Sequence, residues 1–403
     1  MALSALYLDA GEHSVLVEGG VIAALGPSAR APAGAKLLDC RGLTLRPGAI
    51  NAHTHLYSGL APLGMPPPEP PPESFVQILE RLWWRLDRAL DAASLRASAE
   101  LYVAESLLAG TTTLIDHHES PTFIEGSLDV LADAAQTLGC RLATGYGATD
   151  RNGGPEEGRR GIEECARLAR ENRRALVQPL GALHASFTVS DETVKRSAEL
   201  GLPMHVHVAE DAADVADAKR RGFAGPLERL LELRALPRGS ILAHGVHLTE
   251  EQVRAADDAG LWLVQNPRSN AGNRVGFAEH LGASRHVALG TDGYPADMQA
   301  ERGALAQEAE RAGHVLSAET AAARARGAYA LASALFGARL EHELSLGATA
   351  DLVALRDEKP VHVLVAGELV VEGGRLCRAD LEQIRLNAAR EAPRLWRRMQ
   401  ELP

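Results

Sequence analysis

Basic residues of one kind are scarce in this chain. Its 403 residues include four lysines, Lys36, Lys195, Lys219 and Lys359; no long run of Lys or Arg occurs, and the formal net charge is −11. A surface of that sign is a poor partner for nucleic acid or for an anionic membrane. Cysteine is equally sparse: Cys40, Cys140, Cys165 and Cys377 stand far apart and no C-x-x-C occurs. That spacing argues against a disulfide framework or a zinc–thiolate site and suits a reducing, cytoplasmic setting. No run of 18 apolar residues is present, so no membrane span is expected. The opening MALSALYLDAGEHS lacks a basic segment followed by an apolar run, so no signal peptide is expected. No G-x-G-x-x-G follows the early apolar runs, which weakens the case for a doubly wound open sheet.

What is present is an ordinary globular balance, 46% apolar and 24% charged residues. The length suits a large barrel with a satellite domain. The first 45 residues read as short strands broken by Gly-Gly, and ADLVAL with HVLVAGELVVEGGRL repeats that texture near the other end. Neither end is long enough for a stable sheet alone, so the two are expected to pair. The expected division is a composite β-sandwich with a C-terminal helix from residues 1–46 and 345–403, beside a 47–344 barrel. Between the ends, TLRPGAINAH, TTTLIDHH, CRLATGYG, ALVQPLGALH, LPMHVHVAE, SILAHGVH, LWLVQNP and HVALGTD are eight short apolar runs. Most are separated by helical periodicity, as in SLDVLADAAQTL, which predicts an α/β fold, a (β/α)8 TIM barrel.

One insertion interrupts this pattern. GMPPPEPPPESF, residues 64–75, packs six prolines into seven residues after the first barrel strand. Polyproline geometry follows, as a stiff surface loop or as a rim over the barrel mouth. Residues 75–109 then read as helices, with Trp83, Trp84 and Leu86 as packing residues.

Chemistry gathers at the ends of the strands. His53-Thr54-His55 closes the first, and residues i and i+2 of a strand face one way, about 6.5 Å apart. Two imidazoles so placed can lean onto one ion, and imidazole suits zinc, iron and related metals. His117, His118 and Glu119 end the second strand, where alternation turns at most one of the two histidines inward. His184 closes the fourth, His205 and His207 lie in the fifth, His244 closes the sixth and Asp292 the eighth. Barrel catalysis is built at this face, and chance explains one or two such placements but not the ring.

PGAINAHTH, HVHVAE, LAHGVH and LGTDG resemble the amidohydrolase superfamily, in its branch of nucleobase aminohydrolases and chlorohydrolases, over nearly the whole chain. ESFVQILERLWWRLDRAL more narrowly resembles aminohydrolases associated with selenium-dependent purine metabolism. The resemblance implies metal ligands at His53, His55, His207 and Asp292, and a homodimer or larger homo-oligomer. It makes His205 a deeper, hydrogen-bonded barrel histidine. Glu210, three residues past His207, matches a proton shuttle between water and a ring nitrogen. His244 matches the histidine that holds the water or the developing oxygen, and Asp292 also holds the water. His184, His117, His118 and Gln265 are the expected substrate contacts. Asp150 and Arg151 read either as contacts to a polar ring or as a loop pair. Binuclear members carry a bridging lysine on strand 4, and ALVQPLGALH has none, so one divalent ion is expected, zinc first, with Fe2+ or Mn2+ as alternatives. The implied reaction is hydrolytic deamination of an aminated purine, pterin or related base. Cyclic amide opening or dechlorination on the same site is the alternative, and a non-catalytic assembly protein comes last because the ligand set is whole.

Overall fold

In the computed structural model, which describes residues 5–403, the chain enters a barrel at Ala49. Its strands are β1 (Ala49–Thr54), β2 (Thr111–His118), β3 (Arg141–Tyr146), β4 (Gly181–Ala185), β5 (Met204–Val208), β6 (Ile241–His244), β7 (Trp262–Gln265) and β8 (Val287–Leu289). β1 to β3 pair in parallel, as do β4 to β8. Single parallel bridges Ala148↔Leu183 and Thr54↔Asp292 close the two gaps. The fourth stave is broken, against the single strand expected from ALVQPLGALH. Val177–Pro179 pairs with β3, whereas β4 pairs with β5. Pro179 has no N–H to continue a ladder, and the next amide, Leu180, donates to Thr144.

Closure between β8 and β1 rests on side chains as well as backbone. Asn51 Nδ2 donates to Thr291 Oγ1 at 2.7 Å, and Thr291 N returns a bond to Asn51 Oδ1 at 3.0 Å. Gly290 permits the approach: a Cβ there would stand 2.7 Å from His53 N. The same crossing brings Asp292 N to His53 O at 3.0 Å, which delivers the Asp292 carboxylate to the His53–His55 pair.

Strand alternation sorts the side chains of β5. Met204, Val206 and Val208 join a buried apolar cluster with Leu227, Leu230 and Val253 of the outer helices, while His205 and His207 point into the barrel. Helix Ala92–Leu108 opens with a reciprocal Asp91/Ser94 capping box and buries Leu95, Val103 and Leu107. The C-terminal helix Leu381–Glu401 packs on it, with Ile384, Leu395 and Trp396 in the same cluster.

The chain ends form two sheets. Val21–Leu25, Val15–Glu18, Leu6–Asp9 and Lys36–Asp39 make one, in that order. Arg375–Leu376, Glu368–Glu372, Lys359–Val365, Leu352–Arg356 and Thr44–Pro47 make the other. Leu8, Val15, Ile22 and Leu38 of the first bury against Ala350, Leu352 and Leu364 of the second. Residues 1–4 of the expected sandwich range lie outside the described residues. Among the described residues no helix is long and apolar enough to cross a membrane.

Candidate active site

Three imidazoles at the barrel mouth are oriented by bonds made from their rear nitrogens. His55 Nδ1 bonds His117 O at 2.6 Å, His207 Nδ1 bonds the carbonyl of His184, and His53 Nδ1 meets His205 Nε2 at 2.8 Å. A carbonyl only accepts, so Nδ1 of His55 and His207 carries a proton and Nε2 faces the centre; without a cation the Asp292 carboxylate raises the His55 imidazole to about 9 against its burial, and a cation would take the place of that Nε2 proton. These atoms converge: His207 Nε2 lies 3.3 Å from His55 Nε2, and Asp292 Oδ1 lies 2.8 Å from His55 Nε2 and 3.4 Å from His53 Nε2. His53 Nε2 is buried with no hydrogen-bond partner. Burial holds its imidazole down to about 3, so it stays neutral, as a ligand must. His53, His207, His244 and Asp292 offer ligand atoms all within 4.8 Å of one another. An orphaned imidazole nitrogen beside two further imidazole nitrogens and a carboxylate oxygen fits a divalent cation, with rear-nitrogen bonds of the kind that fix such ligands.

The backbone is strained at this point. His244 and Asp292 adopt φ of 74° and 53°, the left-handed region. Non-glycine residues held there are uncommon and cluster at functional sites. His244 Nδ1 donates to Asn270 Oδ1 at 2.8 Å, which leaves its Nε2 unpartnered and 3.6 Å from Glu210 Oε2. Asn273 donates to Glu210 Oε1 at 3.2 Å, and Ser269 Oγ donates to Asp292 Oδ2. Burial pushes the Glu210 carboxyl up to about 7, with Asp292 adding to the rise and His244 opposing it.

A pocket opens above these groups. Phe75, Leu79, Trp83, Trp84 and Phe187 form its apolar wall, and His184, Glu119, Asp87, Glu210 and Asp214 its polar one. His184 therefore sits where a substrate contact was expected, held by a 2.9 Å bond from Nδ1 to Thr188 Oγ1.

Three expected contacts are placed otherwise. His118 points away from the barrel, against Tyr57 and Tyr146, and its Nε2 bonds Ser120 Oγ at 2.8 Å. His117 is the inward one of the pair, but it lies beneath the pocket wall with Nε2 on Leu183 O at 2.9 Å. Gln265 is fully buried and bonds the guanidinium of Arg324, which reaches in from helix Ala318–Phe336 and needs a buried acceptor. Asp150 and Arg151 are framework. Asp150 accepts from Ser190 N and Thr193 Oγ1 at the start of helix Asp191–Ala198. Arg151 pairs with Asp87 at 2.6 Å, its guanidinium 4.7 Å above the Trp84 ring.

The proline-rich segment is the rim: Arg274 and Arg81 hold its carbonyls at Pro72, Pro70 and Pro71, and its last residue, Phe75, reaches the pocket. Trp83 and Trp84, expected as packing residues, line the cavity instead. The spacing of Phe75, Leu79 and Trp83 is a helical stripe that pointed there. A π-helical turn over Leu79–Trp83 brings Trp84 to the same wall. Leu86 is core, as expected.

A family model described as the amidohydrolase family matches residues 44–370. A 5'-deoxyadenosine deaminase of Methanopyrus kandleri is 28% identical over 389 residues, 87% of this chain and 86% of that one. Among solved structures, a zinc-bound adenosine deaminase from Xanthomonas campestris superposes with a TM-score of 0.79 at 26% identity, over 98% of this chain and 97% of that one. An atrazine chlorohydrolase from Arthrobacter aurescens, complexed with zinc, superposes at 0.75 with 22% identity, over 96% and 100% of the two chains. That likeness is one of fold.

Proposed function

The chain belongs to the amidohydrolase family, it is a hydrolase of C–N bonds other than peptides, and from that premise we propose that it removes the amino group of an aminated purine base or nucleoside as ammonia. The observation that carries this reading is the convergence of His53, His55, His207 and Asp292 beneath Glu210 and His244. The first four residues would hold one divalent ion, zinc in this reading. Bound there, it would supply a water acidic enough to attack at neutral pH.

The remaining work falls to side chains. Glu210, buried and raised to about 7, accepts the proton of the attacking water and delivers it to the ring nitrogen beside the reacting carbon. His244 Nε2, unpartnered and fixed from behind by Asn270, holds the oxygen that forms on that carbon. A C–O bond forms and the exocyclic C–N bond breaks: the water's first proton stays on the ring nitrogen, and its second passes from the new hydroxyl to the departing amino group, which leaves as ammonia. The aromatic wall stacks the planar ring and excludes water. The end sheets, residues 1–46 with 345–403, act as a sandwich unit beside the barrel, and the active species is a homodimer or larger homo-oligomer.

The test is ammonia release from adenosine, 5'-deoxyadenosine and guanine by zinc-loaded protein. Glu210→Gln should lower kcat by about 10²- to 10⁴-fold with bound zinc unchanged. Near-normal turnover in Glu210→Gln removes the shuttle. Ring opening or chloride release from analogues, without ammonia from any amino base, replaces the deaminase reading by its alternative.

A further inference from the structure

The pocket wall carries a carboxylate for which the reaction has no use. Glu119 lies two residues beyond His117, just past the end of β2, and lines the pocket with both of its oxygens buried. His117 Nδ1 stands 2.6 Å from Oε1 and pairs with it, whereas the imidazole nearest Oε2, His55 Nδ1 at 3.6 Å, already bonds His117 O. The chain opposite is shaped to leave room for the group: a Cβ on Gly147 would stand 2.6 Å from Glu119 Oε1. A buried carboxylate oxygen left without a donor is costly, and Oε2 has none within hydrogen-bond distance, so a site that keeps it is built for something that supplies one.

The surrounding charge narrows what that is. Asp87, Glu119, Glu210, Asp214 and Asp292 line the pocket, and among the described residues no Lys or Arg does. Arg151, whose guanidinium lies 4.7 Å over the Trp84 ring, is paired with Asp87. A phosphate or carboxylate entering here would meet like charge in a place where water is excluded.

We propose that Glu119 is a specificity-determining residue that accepts two adjacent hydrogen-bond donors of the substrate, so that the enzyme takes uncharged or cationic bases and nucleosides and rejects their phosphorylated or carboxylated forms. The two donors are a ring N–H beside an amino group or the vicinal hydroxyls of a ribose. This deepens the deaminase reading and rests on it for the substrate class. A second cation on Glu119 is the weaker account. The ligand groups that include it, with His184 and His207 or with His55 and His117, borrow a histidine from the first site.

The experiment is calorimetric binding to zinc-loaded protein in the Glu210→Gln background, where turnover does not intervene. The probes are adenosine, its dideoxy analogue lacking both ribose hydroxyls, guanine, adenine and adenosine monophosphate. Adding Glu119→Gln should weaken whichever of adenosine or guanine supplies the paired donors by about ten- to a hundredfold, and leave its donor-stripped counterpart unchanged. Adenosine monophosphate should bind more weakly than adenosine by on the order of tenfold or more. Glu119→Ala should repeat the pattern, and the isosteric Gln variant carries the test if the Ala variant does not fold. Equal weakening of every probe, phosphate binding as tight as adenosine, or zinc lost with Glu119 overturns the inference. Glu119-dependent binding together with no ammonia release by the enzyme with Glu210 intact would sink the deaminase reading and leave this one standing.

Discussion

The barrel mouth and the paired end sheets obey opposite rules. At the mouth, His53, Glu119, Asp214 and His244 each keep a buried polar atom without a partner, and His244 and Asp292 hold left-handed backbone. In the end sheets, Leu8, Val15, Ile22, Leu352 and Leu364 close over one another between hydrogen-bonded ladders. Where the sheets meet the barrel bottom, a buried charge pair is satisfied. Arg141 reaches Asp351 through two bonds, at 2.7 and 3.1 Å, and Ala366 N donates to the same carboxylate at 2.6 Å. Unsatisfied groups are tolerated where they await a ligand, and the rest of the fold offsets their cost.

The sharpest way to break this contrast is to remove a group from the mouth. Asp292→Ala should abolish ammonia release, a loss of about a thousandfold or more, and strip bound metal while the fold persists. Unchanged metal content would undo the ligand assignment. The reverse experiment lies at the bottom of the barrel. Asp351→Ala leaves Arg141 buried and unpaired, so it should cost about 3–5 kcal/mol of stability, read as a lower Tm, with kcat of the surviving protein unchanged. If activity fell instead of Tm, the two regions would not be separable. Asn270→Ala frees His244 Nδ1 and should lower kcat by about ten- to a hundredfold with little change in Tm.

The smallest effect is one of pH. Burial pushes the Asp214 carboxyl up to about 7 from its ordinary 3.8, against the donated N–H of Ala209. The folded state therefore binds this proton more tightly than the unfolded one. The stability it contributes is full below the unfolded value and is lost as pH rises from about 4 to about 7. Asp214→Asn should flatten the fall in Tm across that interval, and a fall of the same steepness in the variant would place its origin elsewhere.

Much of the site was readable before folding because strand geometry is short-ranged. His53 and His55 share a face by the two-residue period, and the same period separates His205 from Met204 and Val206. His117 and His118 show where that reading stops. The alternation says that one turns inward, but the phase is set by which side of β2 meets β1 and β3. Gln265 shows a second limit: its partner Arg324 lies 59 residues away on a helix the local pattern does not connect to it. Trp83 and Trp84 show a third, since the π turn that brings both to the pocket depends on what the helix packs against.

By itself the chain determined the alternation of strands and helices, the pairing of its two ends, and the collection of His and acid side chains at strand termini. Those follow from periods of two and three to four residues and from turn chemistry, which act within a few residues. Only the closed barrel decided which nitrogens point together, which carboxylates lose their partners and how strongly burial shifts them. Those quantities depend on distances between residues more than a hundred positions apart and on the exclusion of water, and neither is encoded in any one segment.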